Sequence, residues 1–190
     1  IFVCTLALYV RTTAPTLGGG WDSEEFQHVA YTLGIAHSTG YPLYLILGKL
    51  FTTLVPIGNI AYRMNLFSAV IGAAAAAVVY LNAFMLTRRH IASIATAALF
   101  ATNPAVWRQA GVASVGPLNL LLLASIICAP MLWHEKRAPL TITSFVFGLS
   151  LAHHRTTIFL LPALLLFIFQ TDPGIIRRPR EIVRHLIFLA

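Results

Sequence analysis

The stretch 66–86 constrains the fold more than any other feature of this sequence. It contains no charged side chain, and it has the length of about 20 residues that one helix needs to cross a hydrocarbon core. The sequence as a whole is also strongly apolar, since 58% of the 190 residues are hydrophobic and only 10% are charged. Soluble domains carry about 25% charged residues. Apolar segments in lipid must satisfy their own backbone hydrogen bonds, which favours helices. The sequence therefore predicts an all-α fold, a polytopic transmembrane helical bundle.

Three clusters of cations separate the apolar stretches. They are Arg88 with Arg89, Lys136 with Arg137, and Arg177 with Arg178, Arg180 and Arg184. Short cationic loops between apolar segments are typical of the cytoplasmic side of membrane proteins. The net charge of +7 is thus interpreted as a topology signal, and no nucleic-acid partner is expected. If all three clusters are cytoplasmic, an even number of crossings separates one from the next.

We expect a single transmembrane domain over residues 1–190 that is truncated at both ends, because the sequence opens without a methionine and stops inside an apolar run. A helix over 140–169 would be about 45 Å long, so two short helices meeting at 153–156 are expected instead. If residues 1–10 run outward and 66–86 run inward, a complete crossing at 41–56 would break the parity. That segment is therefore expected to lie in the interface or to re-enter. In chain order we predict a first outer loop 11–40, an interfacial or re-entrant helix 41–56, spans of about 65–87, 91–107, 117–133, 139–153 and 156–170, and a further span from about 182.

Acidic residues concentrate in the first outer loop, where Asp22, Glu24 and Glu25 follow a run of glycines. One interpretation is structural: Asp22 or Ser23 caps a helix that continues through Leu33, with acids in its first turn. The other is that a carboxylate at the membrane surface acts as a general base toward an acceptor hydroxyl. Both interpretations account for acids at this place.

A second polar cluster, His153, His154, Arg155 and Thr156, lies between two apolar stretches. A single buried histidine is usually satisfied by its neighbours. Two histidines and an arginine between short spans are costly in a membrane and more often line a pathway or bind an anion. A guanidinium is permanently charged and fork-shaped, so Arg155 suits a phosphate.

A third feature is the turn that contains His37, Gly40, Tyr41 and Pro42. Tyrosines are typical of the headgroup level of a membrane, so anchoring is one role for Tyr41. His37 is expected to face the same outer pocket as Asp22. No glycine-rich phosphate loop, zinc motif or nucleophile elbow appears in the sequence, and no metal ligand is assigned.

Four motifs in order carry a resemblance that covers nearly the whole chain. They are residues 22–26 (DSEEF), 33–44 (LGIAHSTGYPLY), 63–69 (RMNLFSA) and 148–156 (GLSLAHHRT). The sequence resembles the GT-C superfamily of polytopic membrane glycosyltransferases, in particular a protein O-mannosyltransferase-like family long catalogued as a domain of unknown function. The resemblance implies a GT-C-type helical bundle with interfacial helices in the first outer loop.

The resemblance also implies that a sugar, such as mannose, passes from a polyprenyl-phosphate donor to a hydroxyl acceptor on the outer face. Asp22 matches the catalytic acid and Glu25 the second carboxylate of its motif, so these two are the expected catalytic residues. His154 and Arg155 match the outer junction where relatives place a cation near the lipid phosphate. The residues expected to bind substrate are Glu24, His37, Tyr41, His153, His154 and Arg155.

One departure concerns the second outer loop, where many relatives have Glu-Val-Tyr and this chain has Ser114, Val115 and Gly116. The missing carboxylate weakens a case for metal binding and leaves the need for a divalent metal unknown. Expected partners are membrane lipid, the lipid-linked sugar, and a protein Ser/Thr or glycan acceptor. The expected location is a bacterial plasma membrane, with the multi-pass protein's active site outside and with Asp22 and Arg155 bordering one chamber.

Two functions of other classes remain open. A transporter or flippase for a lipid or anionic solute would use the same polar groups as a pathway. Because the polar residues lie chiefly at one side of the predicted topology, surface chemistry is favoured over passage. A non-catalytic membrane scaffold is the third candidate, because the second-loop acid is missing.

Overall fold

The computed structural model describes residues 1–18 and 20–178, apart from the side chains of Trp21 and Ile176. Within this described part the regular elements are helices and no strand occurs, which confirms the all-α prediction. The chain divides into two units, Ile1–Leu121 and Leu122–Ala190.

The first unit is built around one long helix, α4. Its helices, in chain order, are α1 (Phe2–Thr12), α2 (Trp21–Thr32), α3 (Pro42–Leu54), α4 (Ile60–Thr87), α5 (His90–Ala101) and α6 (Pro104–Ala110). A seventh helix, α7 (Gly116–His134), begins in this unit and continues into the second. α4 packs against α1, α2, α3, α5 and α6, so it fixes the positions of the loops between them.

Small residues allow these helices to approach α4 closely. A Cβ atom added at Gly72 would lie 3.1 Å from both Cβ of Ala110 and Cε2 of Tyr9. The Tyr9 side chain is fully buried here, and its hydroxyl donates a hydrogen bond to the carbonyl oxygen of Ala101 at 2.8 Å. Small residues at such interfaces are common where helices pack without a hydrophobic driving force. The buried cluster comprises Tyr9, Ala69, Ala73, Ala76, Ala101 and Ala110.

The boundaries of two segments differ from the predicted spans for local reasons. α4 begins at Ile60 and not near 65, because Asn59 caps it and accepts a hydrogen bond from the Tyr62 backbone N–H at 2.8 Å. The segment 91–107 forms α5 and α6 instead of one helix. Asn103 precedes a proline, which disfavours helical geometry, and its side chain caps α6 through the Ala105 N–H at 3.0 Å.

The second unit contains the rest of α7 and the helices that follow it. These are α8 (Leu140–His153), a 3-10 helix (Arg155–Leu160), α9 (Leu161–Thr171) and a second 3-10 helix (Pro173–Arg177). His154 is extended, with φ −145° and ψ 114°, and it ends α8. The helix therefore breaks within the polar cluster 153–156. The span expected from about 182 lies outside the described residues.

Two helices of the described residues, α4 and α7, are long and apolar enough to cross a membrane by length and composition. The other segments predicted as spans or half-spans are shorter apolar helices. A multi-pass arrangement of GT-C type stays a prediction.

Candidate active site

The acidic segment of the first loop forms the first two turns of α2. This helix begins after Gly20, whose φ of 106° lies where side chains are rarely tolerated. The prediction that Asp22 or Ser23 caps the helix was wrong, because Gly20 occupies the cap position and no side chain caps it. Ser23 is instead buried, while Asp22 and Glu24 are exposed. Acids in the first turn are favoured by the positive end of the helix dipole.

Glu25 is held by His37, twelve residues further along the chain. One carboxylate oxygen accepts a hydrogen bond from the His37 backbone N–H at 2.7 Å, and the other lies 2.6 Å from ring atom Nδ1. The two side chains are partly exposed, by 30% for Glu25 and 41% for His37. The hydrogen bond from the His37 ring, followed by that from its backbone, holds the pKa of Glu25 below its usual value. Glu25 is thus an ionised residue with a fixed orientation.

Aromatic rings surround this pair and connect it to α3. Phe26 is buried, and its ring centre lies 5.5 Å from that of His37 and 5.6 Å from that of Tyr41. The His37 and Tyr41 rings are 5.7 Å apart. Tyr41 has a left-handed backbone, with φ 44°, and directly precedes α3. The structure therefore brings together three of the predicted site residues, Glu25, His37 and Tyr41.

Asp22 lies one turn before Glu25 on the same helix. Side chains three positions apart on a helix have Cβ atoms about 5–6 Å from each other. Asp22 is exposed, and within the described residues its carboxylate accepts no hydrogen bond and forms no ion pair. Glu24 is exposed as well. Of the two predicted catalytic carboxylates, Glu25 is bound to His37, whereas Asp22 is free to accept a proton from a ligand.

The predicted site residues of the second unit lie where α8 ends. His153 is buried, with 1% of its surface exposed, whereas Arg155 is exposed at the start of a 3-10 helix. Nδ1 of His154 lies 2.7 Å from the Thr156 hydroxyl oxygen. Arg155 has no hydrogen-bond or ion-pair partner in the part of the chain that the structure describes. Its guanidinium is therefore available to an anion, and a chamber shared with Asp22 stays a prediction.

Two contacts that the sequence did not reveal hold α2 in place. The Lys49 ammonium donates a hydrogen bond to the Tyr31 carbonyl oxygen at 2.6 Å and lies 4.0 Å from the centre of the Tyr31 ring. One turn earlier on α2, Gln27 donates a hydrogen bond from Nε2 to Oδ1 of Asn65 at 2.8 Å. Asn65 belongs to the motif 63–69, which had served only for the resemblance. A polar residue at the start of an alanine-rich helix is the signal that could have indicated its role.

The described residues contain no group of three or more His, Cys, Asp or Glu side chains that could hold a metal ion. The described side chains of the first loop supply carboxylates, the histidines His28 and His37, and aromatic rings. This set suits proton transfer and the binding of a polar group beside a ring.

Comparison with known proteins finds one family model over most of the chain. Residues 22–174 match the model described as "Protein O-mannosyl-transferase TMEM260 N-terminal domain". The mouse protein O-mannosyl-transferase TMEM260 is 33% identical over 164 residues, which is 83% of this chain and 23% of that protein. The Dictyostelium discoideum protein O-mannosyl-transferase tmem260 is 28% identical over 129 residues, 67% of this chain and 16% of that protein. The chain therefore spans less than a quarter of these relatives. No solved structure matches it significantly.

Proposed function

The chain belongs to the family of the protein O-mannosyl-transferase TMEM260 N-terminal domain, and we propose that it carries the candidate catalytic acid of a membrane glycosyltransferase. The enzyme transfers a sugar, mannose by analogy with the O-mannosyl-transferase relatives, to a serine or threonine hydroxyl of a protein. The donor is a polyprenyl-phosphate sugar, and the reaction takes place at the outer face of the membrane.

A single observation supports the proposal best. Both carboxylate oxygens of Glu25 are bound to His37, while Asp22, one turn away, is exposed and has no partner among the described residues. A general base must be able to reach the proton that it removes. Asp22 meets this condition, whereas Glu25 is committed to two hydrogen bonds. The division of roles follows, with Asp22 as the base and Glu25 as the group that orients the loop containing His37.

In the proposed reaction, Asp22 takes the proton of the acceptor hydroxyl as the hydroxyl oxygen attacks the anomeric carbon. The bond between that carbon and the phosphate oxygen breaks, and the polyprenyl phosphate leaves with the bonding electrons. Attack from the opposite face gives inversion at the anomeric carbon. The proton remains on Asp22 until it is released to water.

The leaving phosphate develops negative charge, which a nearby cation would stabilise. Arg155 is assigned this role because its guanidinium is exposed and has no partner among the described residues. His154 adds a second hydrogen-bond donor. His37 and Tyr41 are proposed to contact the sugar, since a ring next to a polar donor suits a ligand with both apolar and hydroxyl surfaces.

The direct test uses the full-length protein with a labelled polyprenyl-phosphate mannose and an acceptor peptide that contains serine and threonine. Asp22→Asn should lower kcat by about 100- to 10,000-fold, the range for loss of a general base. Glu135→Gln serves as the control, because it removes a carboxylate that pairs with Arg137 in the loop after α7.

Full transfer by Asp22→Asn would reject the proposed base. Transport of the lipid-linked sugar without covalent transfer would favour a flippase, and binding without either outcome would favour a scaffold. Each alternative thus has its own readout in the same preparation.

A further inference from the structure

The side chain of Asn65 uses its complete hydrogen-bonding capacity inside the first unit. Asn65 is fully buried on α4. Its Nδ2 donates to the carbonyl oxygens of Ala14 at 2.9 Å and Thr16 at 3.3 Å. Its Oδ1 accepts from Nε2 of Gln27 at 2.8 Å and from the backbone N–H of Ala113 at 2.8 Å. An amide side chain offers two donors and two acceptor positions, and all four are used here.

These four bonds connect three separate parts of the chain to α4. Ala14 and Thr16 lie in the segment that leads from α1 into α2, and Gln27 lies on α2 itself. Ala113 lies in the loop between α6 and α7. The partners are between 38 and 51 residues away in sequence. Asn65 therefore fixes the helix that carries Asp22 and Glu25 relative to the loop after α6.

Gln27 extends this network toward the acidic turn. Its Nε2 also donates to the Gly18 carbonyl oxygen at 3.2 Å and lies 3.5 Å from Oγ of Ser23. Gln27 and Ser23 are both buried. Since Ser23 directly follows Asp22, the network reaches the residue next to the proposed base.

Ser68, three residues after Asn65, holds the next residue of the same loop. The Ser114 backbone N–H donates to Oγ of Ser68 at 3.1 Å. Residues three apart lie on one face of a helix. One face of α4 thus binds two consecutive residues of the loop, Ala113 through Asn65 and Ser114 through Ser68.

We propose that Asn65 is a positioning residue of the candidate active site: it sets the place of α2 through Gln27 and that of the loop after α6 through Ala113. This inference rests on the proposed function for its catalytic consequence, while the positioning itself is a property of the fold. No other side chain type provides two donors and two acceptors in this volume except glutamine, which is longer by one methylene. A carboxylate would keep the acceptors and turn lone pairs toward the carbonyl oxygens of Ala14 and Thr16.

The test compares Asn65→Asp with Asn82→Asp in the full-length protein. Asn82 is also buried on α4, 17 residues further along, which corresponds to about 25 Å of helix. Amide hydrogen exchange is measured over residues 12–18 and 111–116. Asn65→Asp should accelerate exchange in 12–18, where the Ala14 N–H donates to the Gly111 carbonyl oxygen. Asn82→Asp should leave both segments unchanged.

The kinetic arm separates positioning from a general loss of stability. Asn65→Asp should lower kcat by about 10- to 100-fold at neutral pH, the scale expected when a reacting group is misplaced. The deficit relative to the parent protein should shrink at lower pH, because protonation returns one donor to the side chain. None of the four partners of Asn65 titrates, so the recovery would report the new carboxyl group alone.

Unchanged exchange in 12–18, or a kinetic deficit that does not depend on pH, would overturn the positioning role. If Asn65→Asp accelerates exchange but the parent protein transfers no sugar, the positioning role is supported and the proposed function is rejected. The two failures are therefore distinguishable.

Discussion

His37 binds Glu25 through both its backbone and its ring, at 2.7 Å from the backbone nitrogen and 2.6 Å from Nδ1. The contact joins the first turns of α2 to the loop that enters α3. It leaves the neighbouring acid, Asp22, exposed in the same helix turn. Two carboxylates on one helix thus have different surroundings, and this difference separates their chemistry.

The Glu25 contact should be sensitive to acid. Hydrogen bonds from His37 lower the pKa of Glu25 in the folded protein, so the contact stabilises the folded loop at any pH above the unfolded value of about 4.3. That contribution should be lost as the pH falls through the lowered folded value. Amide exchange at His37, corrected for its intrinsic pH dependence, should show protection that disappears only in this acidic range.

Glu25→Gln provides the comparison for this prediction. The amide cannot ionise, so the variant should show weaker protection at neutral pH and no further loss specific to the range below about pH 4.3. The same acid sensitivity in both proteins would contradict the assignment of the effect to Glu25.

The hydroxyl of Tyr9 should contribute to stability and not to transfer. It donates to the Ala101 carbonyl oxygen at the end of α5, where a helix leaves carbonyl groups without a partner in the helix itself. Tyr9→Phe should lower the free energy of unfolding by about 1–3 kcal/mol, because a buried acceptor is left unpaired. Thermal unfolding in detergent checks this, with Tyr62→Phe as the control. An equal loss in both variants would contradict the prediction.

Lys49 should stabilise α2 through two contacts that can be separated. Lys49→Met removes both the hydrogen bond to the Tyr31 carbonyl and the contact with the ring, whereas Tyr31→Leu removes the ring alone. Tyr31→Leu should lower the free energy of unfolding by about 0.5–1 kcal/mol. Lys49→Met should lower it by about 1 kcal/mol more, because it also removes the hydrogen bond. Chemical unfolding of both single variants and of the double variant measures the coupling. A zero coupling energy would show that the ring contact contributes nothing.

Arg155 should act on the phosphate of the donor if the proposed function is correct. Arg155→Ala should lower kcat for a polyprenyl-phosphate sugar by about 100-fold, and Arg155→Lys should recover part of it, because lysine keeps the charge but not the fork. Arg177→Ala, an exposed arginine of the same unit, is the control. Steady-state kinetics with fixed acceptor supplies kcat and KM for each variant. Equal activity of Arg155→Ala and the parent protein would remove Arg155 from the mechanism.

Local sequence patterns account for much of the helical framework. The polar residues 153–156 between apolar stretches indicated a break, and the chain is extended at His154. The absence of charge over 66–86 indicated the central helix, although its start depends on the capping side chain of Asn59. Capping by Asp22 was a reasonable expectation that failed because glycine supplies the required backbone geometry directly.

The candidate site was only partly predictable because its contacts are distant in sequence. The Glu25 and His37 side chains were both singled out, but their pairing depends on how the loop 33–41 returns to α2. Gln27 and Asn65 were missed as a pair since they are 38 residues apart and no local period connects them. A buried amide among alanines has meaning only once the segments around it are placed.

The sharing of Asn65 among three segments has a consequence for protein engineering. A chimera that takes the segment 13–27 from a relative inherits carbonyl and amide groups shaped to meet one amide on another helix. Such a graft should function only when the matching stretches around 65 and 113 are exchanged with it. The site is therefore built from segments that are distant in sequence, and residues in those segments are expected to have changed together during evolution.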